Sequence, residues 1–103
     1  MSDKQKNYNV IMHDDAAEML YSHVRFLSNV SVSAARKLRD TIFDASQSLV
    51  SMPHRCPPFN SSNLKGVYRQ LIVGRYQIVF SISEVDNIVS IRYILDSRQN
   101  NDI

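Results

Sequence analysis

Cys56 is the only cysteine among the 103 residues, so an internal disulfide is impossible and a reducing compartment is the natural setting. His, Cys and acidic residues never recur at metal-ligand spacing, and neither a metal nor a cofactor is expected. No apolar run approaches the roughly 20 residues that span a bilayer. The polar start Met1-Ser2-Asp3-Lys4-Gln5-Lys6-Asn7 lacks a signal peptide's apolar centre. The expectation is a cytoplasmic protein with no membrane partner. A further absence is local: between Ala45 and Ser83 there is no Asp or Glu, while Arg55, Lys65, Arg69 and Arg75 all fall there. The formal net charge is only +2, so this asymmetry predicts a positive patch rather than a strongly basic molecule. Nucleic acid, an acidic protein, or solvent alone would satisfy such a patch.

What is present suits one domain, 1–103, with an apolar content of 44% and a single core. The clearest signal is Tyr68 to Ile82, two apolar runs separated only by Gly74 and Arg75. Glycine at the first central position supplies the positive φ of a two-residue type II′ turn, whose twist matches the flanking strands. Counting outward pairs Val73 with Tyr76, Leu71 with Ile78 and Arg69 with Phe80 on one face. Ile72 then opposes Gln77, and Gln70 opposes Val79, on the other. The first face is mostly apolar and needs a covering layer. The second is mixed and is the place to look for function.

The remaining elements follow from periodicity. Residues 1–7 read as a loose terminus and 99–103 as a polar tail. Tyr8 to Met12 reads as a strand. A helix follows, capped by Asp14 or Asp15, with a stripe of Ala17, Leu20, Val24 and Leu27 and a stop near Asn29. Ser31 to Ser33 offers the next cap, and a second helix is expected from about Ser33 to Ser51 on the stripe Ala35, Leu38, Ile42, Ala45 and Leu49. Pro53 ends it, because proline disfavours the helical region for Met52. Residues Pro53 to Gly66, with three prolines, form a loop pinned by Phe59 and Leu64. After a turn at Glu84 to Asn87, Ile88 to Leu95 alternates, with Val89, Ile91, Tyr93 and Leu95 facing the core and Ser90, Arg92 and Ile94 facing away. The order is β-α-α-β-β-β, an α+β two-layer domain with a helical hairpin on a mainly antiparallel sheet.

Two tempting residues receive no role. His23 lies beside a helical stripe, where a lone histidine is far more often a boundary residue than a catalyst. His54, Arg55 and Cys56 are consecutive in a proline-rich loop, a poor arrangement for holding a nucleophile against its base.

The order of elements and the wording of the hairpin resemble the RelE/ParE superfamily of bacterial toxins from toxin-antitoxin modules. The resemblance is carried by Tyr8-Asn9-Val10, Ala34-Ala35, Leu49 with Met52-Pro53, and Tyr68-Arg69-Gln70-Leu71. It continues through Val73-Gly74-Arg75-Tyr76-Gln77-Ile78-Val79-Phe80, Ile91-Arg92-Tyr93-Ile94-Leu95 and Ser97-Arg98-Gln99. It implies the two-layer RelE/ParE-like fold and a toxin of a plasmid-stabilising, or addiction, module that a cognate antitoxin holds inactive in a hetero-oligomer. One branch of the family cuts messenger RNA on the ribosome; the other poisons DNA gyrase.

In the RNA-cutting branch the residue after the second hairpin strand's tyrosine is usually arginine, but here it is Gln77. That branch's lysine positions fall near Tyr68 and Gln70, and its late tyrosine would fall past Ile103. Arg98 is the one catalytic candidate carried over, with Arg92 and Arg75 as partial substitutes. The resemblance therefore leans to ParE-like gyrase poisoning. A RelE-like, ribosome-dependent endoribonuclease and a non-toxic antitoxin-binding module are the alternatives. By the same resemblance the antitoxin is acidic and folds as it binds. Arg69, Arg75, Gln77, Arg92 and Arg98, with Ile72, Val79 and Ile94 on the mixed face, are the candidates to meet it or the target.

Overall fold

The computed structural model describes residues 7–98, so the expected loose start, Asn7 apart, and the polar tail lie outside the described residues. The elements are β1 (Asn9–Met12), α1 (Asp14–Ser28), α2 (Val32–Gln47), β2 (Pro58–Phe59), β3 (Tyr68–Val73), β4 (Tyr76–Ser83) and β5 (Ile88–Asp96), with 3₁₀ turns at Ser48–Val50 and Pro53–Arg55. They form one sheet in the order β1-β5-β4-β3-β2. β1 runs parallel to β5 and every other pairing is antiparallel. The helical hairpin covers one face, which is the α+β two-layer arrangement expected.

Local chemistry explains most boundaries. Ser31 caps α2, its Oγ accepting the Ala34 N–H at 3.1 Å. No aspartate caps α1, contrary to expectation. His13 occupies that position without a side-chain cap, and its own N–H is donated to the Ile91 carbonyl at 2.9 Å. Asp14 and Asp15 instead occupy the first turn, where the helix dipole favours negative charge. The second helix stops at Gln47 and tightens into the Ser48–Val50 turn before Pro53. Met52, denied the right-handed helical region by Pro53, takes a left-handed conformation at φ 50. The loop contributes one unexpected element: Pro58 and Phe59 pair with Arg69 and Tyr68 as a short edge strand.

The core lies between the helices and the inner sheet face. Ala35, Ile42 and Leu49 of the second stripe are buried, with Leu38 and Ala45 packed beside them. The first stripe holds at Leu20 and Val24 and differs at its start: Ala16 is buried in place of the expected Ala17, Ala17 is exposed, and Met19 joins the contact. β3 and β4 pair in the register that the two-residue turn dictates, from Val73 with Tyr76 to Arg69 with Phe80. Gly74 has φ 59, the left-handed value that the turn requires at its first position.

β5 departs from simple alternation. Val79 pairs with Tyr93 and Phe80 with Ile91, so Arg92 is an extra residue and β5 carries a bulge. The expected inward set Val89, Ile91, Tyr93 and Leu95 is corrected to Val89, Ile91 and Ile94, all three fully buried in the core cluster. A bulge shifts the phase of alternation by one residue, so Ile94 is carried inward and Arg92, Tyr93 and Leu95 fall on the outer face. The same region explains His23. β1 ends at Met12 opposite Ile91, leaving the later β5 edge without a strand neighbour. His23 supplies a donor there, its Nε2–H reaching the Ile94 carbonyl at 2.8 Å.

Candidate functional site

The mixed outer face and the turn end of the sheet gather most of the expected residues. At the centre of that face the Gln77 side-chain amide donates to Gln70 Oε1 at 2.7 Å, and Gln70 Nε2 donates to the Pro58 carbonyl at 3.2 Å. These bonds run from β4 across β3 to β2 and hold two neutral amides in fixed orientation. Ile72, opposite Gln77, is 56% exposed. Val79 belongs to the same face by register but is fully buried, and Ile94 is in the core on the opposite face. Of the three apolar residues expected to await a partner, only Ile72 is presented.

The basic residues divide into anchored and free. Arg69 is on the helix-facing side by its pairing with Phe80, and its Nη1 donates to the carbonyls of His54 at 3.2 Å and Cys56 at 2.6 Å. It ties the loop to the sheet rather than facing outward with Gln70. Arg98 is held by Asp96: its main-chain N–H and Nε reach Oδ1 at 2.9 and 3.3 Å, and its Nη2 reaches Oδ2 at 3.0 Å. The Asp96 side chain is only 4% exposed. Hydrogen bonding from Arg98 lowers its pKa, against the opposing effect of burial, with the charges of Arg98 and Arg75 assisting. The same pairing raises the Arg98 pKa, led by its hydrogen bond to Asp96. Arg92 and Tyr93 are adjacent and half-buried at the bulge. Arg75 is exposed at the turn, its guanidinium carbon 5.8 Å from the centre of the Tyr76 ring. Its carbonyl accepts the Ser97 N–H at 2.7 Å and the Ser97 hydroxyl at 2.8 Å, fastening the end of β5 to the turn.

Cys56 is buried, and burial pushes its thiol pKa up despite the nearby charges of Arg55 and Arg69. An activated thiolate needs the reverse balance. His54 is engaged elsewhere: its Nε2 lies 2.7 Å from Glu84 Oε2, and the Tyr8 hydroxyl donates to Glu84 Oε1 at 2.9 Å. This clasp joins three segments far apart in the chain. Sequence reasoning missed it because residues 8, 54 and 84 share no periodic element.

A second feature absent from the sequence reading is a cleft of about 400 Å³ between α2 and the β3–β4 turn. Leu27, Leu38, Val73 and Tyr76 line it, with Lys37 and Arg75 as its charged lining residues. An apolar groove of about 310 Å³ also opens between the helices beside Tyr21 and Phe43. Among the described residues, no helix is long and apolar enough to cross a membrane.

Comparison with known proteins places this geometry. Among solved structures, a chain in the crystal structure of the toxin-antitoxin complex RelBE2 from Mycobacterium tuberculosis superposes with a TM-score of 0.65 at 19% identity, covering 92% of this chain and 97% of that one. At that identity the likeness is one of fold. No curated protein matches the sequence. The family model described as the ParE toxin of the type II toxin-antitoxin system, parDE, matches residues 10–101, which takes in every strand but the first residue of β1, both helices and Arg98. The chain therefore belongs to the ParE toxin family of type II toxin-antitoxin systems.

Proposed function

We propose that this toxin is held inactive by an antitoxin encoded beside it, and that when free it arrests growth by engaging DNA gyrase rather than by cutting message on the ribosome. The neutral Gln70–Gln77 pair at the centre of the outer sheet face carries this reading. Cleaving an RNA phosphodiester calls for a base at the 2′-hydroxyl, an acid at the leaving oxygen and positive charge at the phosphate. An amide neither takes up nor releases a proton at neutral pH and brings no formal charge. Arg98, the remaining catalytic candidate, has its guanidinium committed to Asp96. The antitoxin reading is supported by the RelBE2 relative, which was solved as a toxin-antitoxin complex.

One observation favours the ribonuclease alternative. The bulge sets Arg92 beside Tyr93 on the outer face, a cation next to an aromatic ring on which a nucleobase can stack. Induced expression in a bacterial host separates the readings. Gyrase poisoning predicts damaged, unreplicated DNA and loss of supercoiling activity when purified protein is added to gyrase. Rapid cleavage of messages on ribosomes with supercoiling intact would overturn it in favour of the alternative. Unimpaired growth would leave a non-toxic antitoxin-binding module.

A further inference from the structure

The cleft between α2 and the β3–β4 turn combines an apolar floor with charge of one sign. Leu27, Leu38, Val73 and the Tyr76 ring make the floor, and Lys37 and Arg75 stand on it from opposite elements. No carboxylate lines the cleft among the described residues. Among the described residues neither Lys37 nor Arg75 forms a salt bridge, whereas Arg39 pairs with Asp40 and Arg98 with Asp96. Asp96, the acid whose field reaches Arg75, is already hydrogen-bonded by Arg98. Two cations facing one apolar floor repel each other mildly, and a carboxylate delivered between them removes that repulsion.

The other clefts have different chemistry: one of about 380 Å³ beside Phe59, Leu64 and Tyr68 has no charged lining residue, and one beside His13 is lined by Asp14 and Asp15. The groove beside Tyr21 and Phe43 is almost wholly apolar, with Arg39 already paired to Asp40. The cleft at the open β5 edge is lined by Asp15, Glu18 and Asp96, which repel an anion. Charge complementarity therefore selects the α2–turn cleft for an acidic occupant.

We propose that this cleft receives an acidic segment of the antitoxin, seating one apolar side chain on Leu38, Val73 and Tyr76 while flanking carboxylates pair with Lys37 and Arg75. The inference rests on the reading that an antitoxin binds this chain, and it adds where the acidic portion docks and what it must contain. Lys37 and Arg75 at the rim act mainly on encounter, steering the acidic segment in. The apolar floor then slows its departure.

The test measures association and dissociation of the antitoxin, produced from the adjacent reading frame, with the folded toxin at low and at physiological salt. Lys37→Glu/Arg75→Glu is expected to weaken binding about tenfold or more, chiefly through slower association, and to flatten the salt dependence. Thr41→Trp fills the cleft from an exposed position without changing charge, and is expected to weaken binding through faster dissociation. Arg25→Glu/Lys65→Glu, the same charge change placed elsewhere, is expected to cost less than about threefold. Equal losses from the two charge-reversed doubles, or none from the cleft double while wild type binds, would overturn the proposal. Loss from Phe43→Ala with the cleft variants unaffected would assign the antitoxin to the interhelical groove instead. Failure of wild-type toxin to bind at all would remove the antitoxin reading itself, an outcome distinct from the failure of the cleft.

Discussion

The β3–β4 hairpin and the β5 strand are neighbours in one sheet, yet their side chains are directed by different kinds of information. In the hairpin, two residues separate the strands and every pairing follows from the turn: Gly74 at φ 59 sets Val73 against Tyr76, and alternation does the rest. In β5 the first half obeys alternation from Val89 to Ile91, then the extra residue at Arg92 reverses it and sends Ile94 inward. A sequence of alternating apolar residues fits either phase. What separates them is the third dimension: Ile94 packs into the shared core under the helices, and His23 closes its exposed carbonyl. The functional consequence is direct. The hairpin places Gln70 and Gln77 where local reading puts them, whereas the β5 bulge takes Ile94 off the outer face and sets Tyr93 beside Arg92 there.

The sharpest way to break this contrast is to truncate β5 on either side of its phase change. Ile94→Ala should lose about 2–5 kcal/mol in chemical denaturation, the cost of emptying a fully buried site, and Tyr93→Ala should lose distinctly less. The reverse ranking would restore simple alternation. Next in size is Arg98→Ala, expected to lower the unfolding midpoint by less than Ile94→Ala does, because it strips hydrogen bonds from a nearly buried carboxylate. Arg98 is therefore a structural residue as well as a candidate for function, and Arg98→Ala does not leave folding untouched. A toxicity measurement on that variant has to be read beside its unfolding midpoint.

That pairing also carries a pH signature. The Asp96 pKa is lower in the folded chain than its ordinary value, so its stabilisation is complete above the unfolded carboxylate pKa of about 3.9 and is lost as pH falls through the folded value. Urea midpoints measured from pH 6 to pH 2 should show wild type losing its advantage over Asp96→Asn toward the acid end. A constant gap across that range would remove the linkage. The smallest effect belongs to the hairpin: Gly74→Ala meets no atom within 4 Å, so only the left-handed backbone resists it, at about 1–2 kcal/mol. Gly74→Asn should cost less, since asparagine tolerates that region. Equal costs for the two would point to something other than backbone conformation.

The candidate site was legible in proportion to how locally its residues are placed. The neutral face at Gln70 and Gln77 could be read from a turn two residues long. Arg69 could not be assigned as readily, because what decides its role is a pair of loop carbonyls 13 and 15 positions earlier in the chain. The Tyr8–His54–Glu84 clasp and the Lys37–Arg75 cleft join segments that no periodicity links.

The sequence by itself determined the two helices, the hairpin register, the order of elements and the family resemblance. Each rests on contacts between near neighbours in the chain or on a hydrophobic period that a single segment displays. Only the tertiary structure decided which cations are free, since Arg69 and Arg98 are consumed by loop carbonyls and a buried carboxylate while Lys37 and Arg75 make no salt bridge among the described residues. It also decided the phase of β5. Burial of Ile94 and the short reach of β1 are non-local terms, and they outweigh an alternation that the strand's own residues would satisfy equally well.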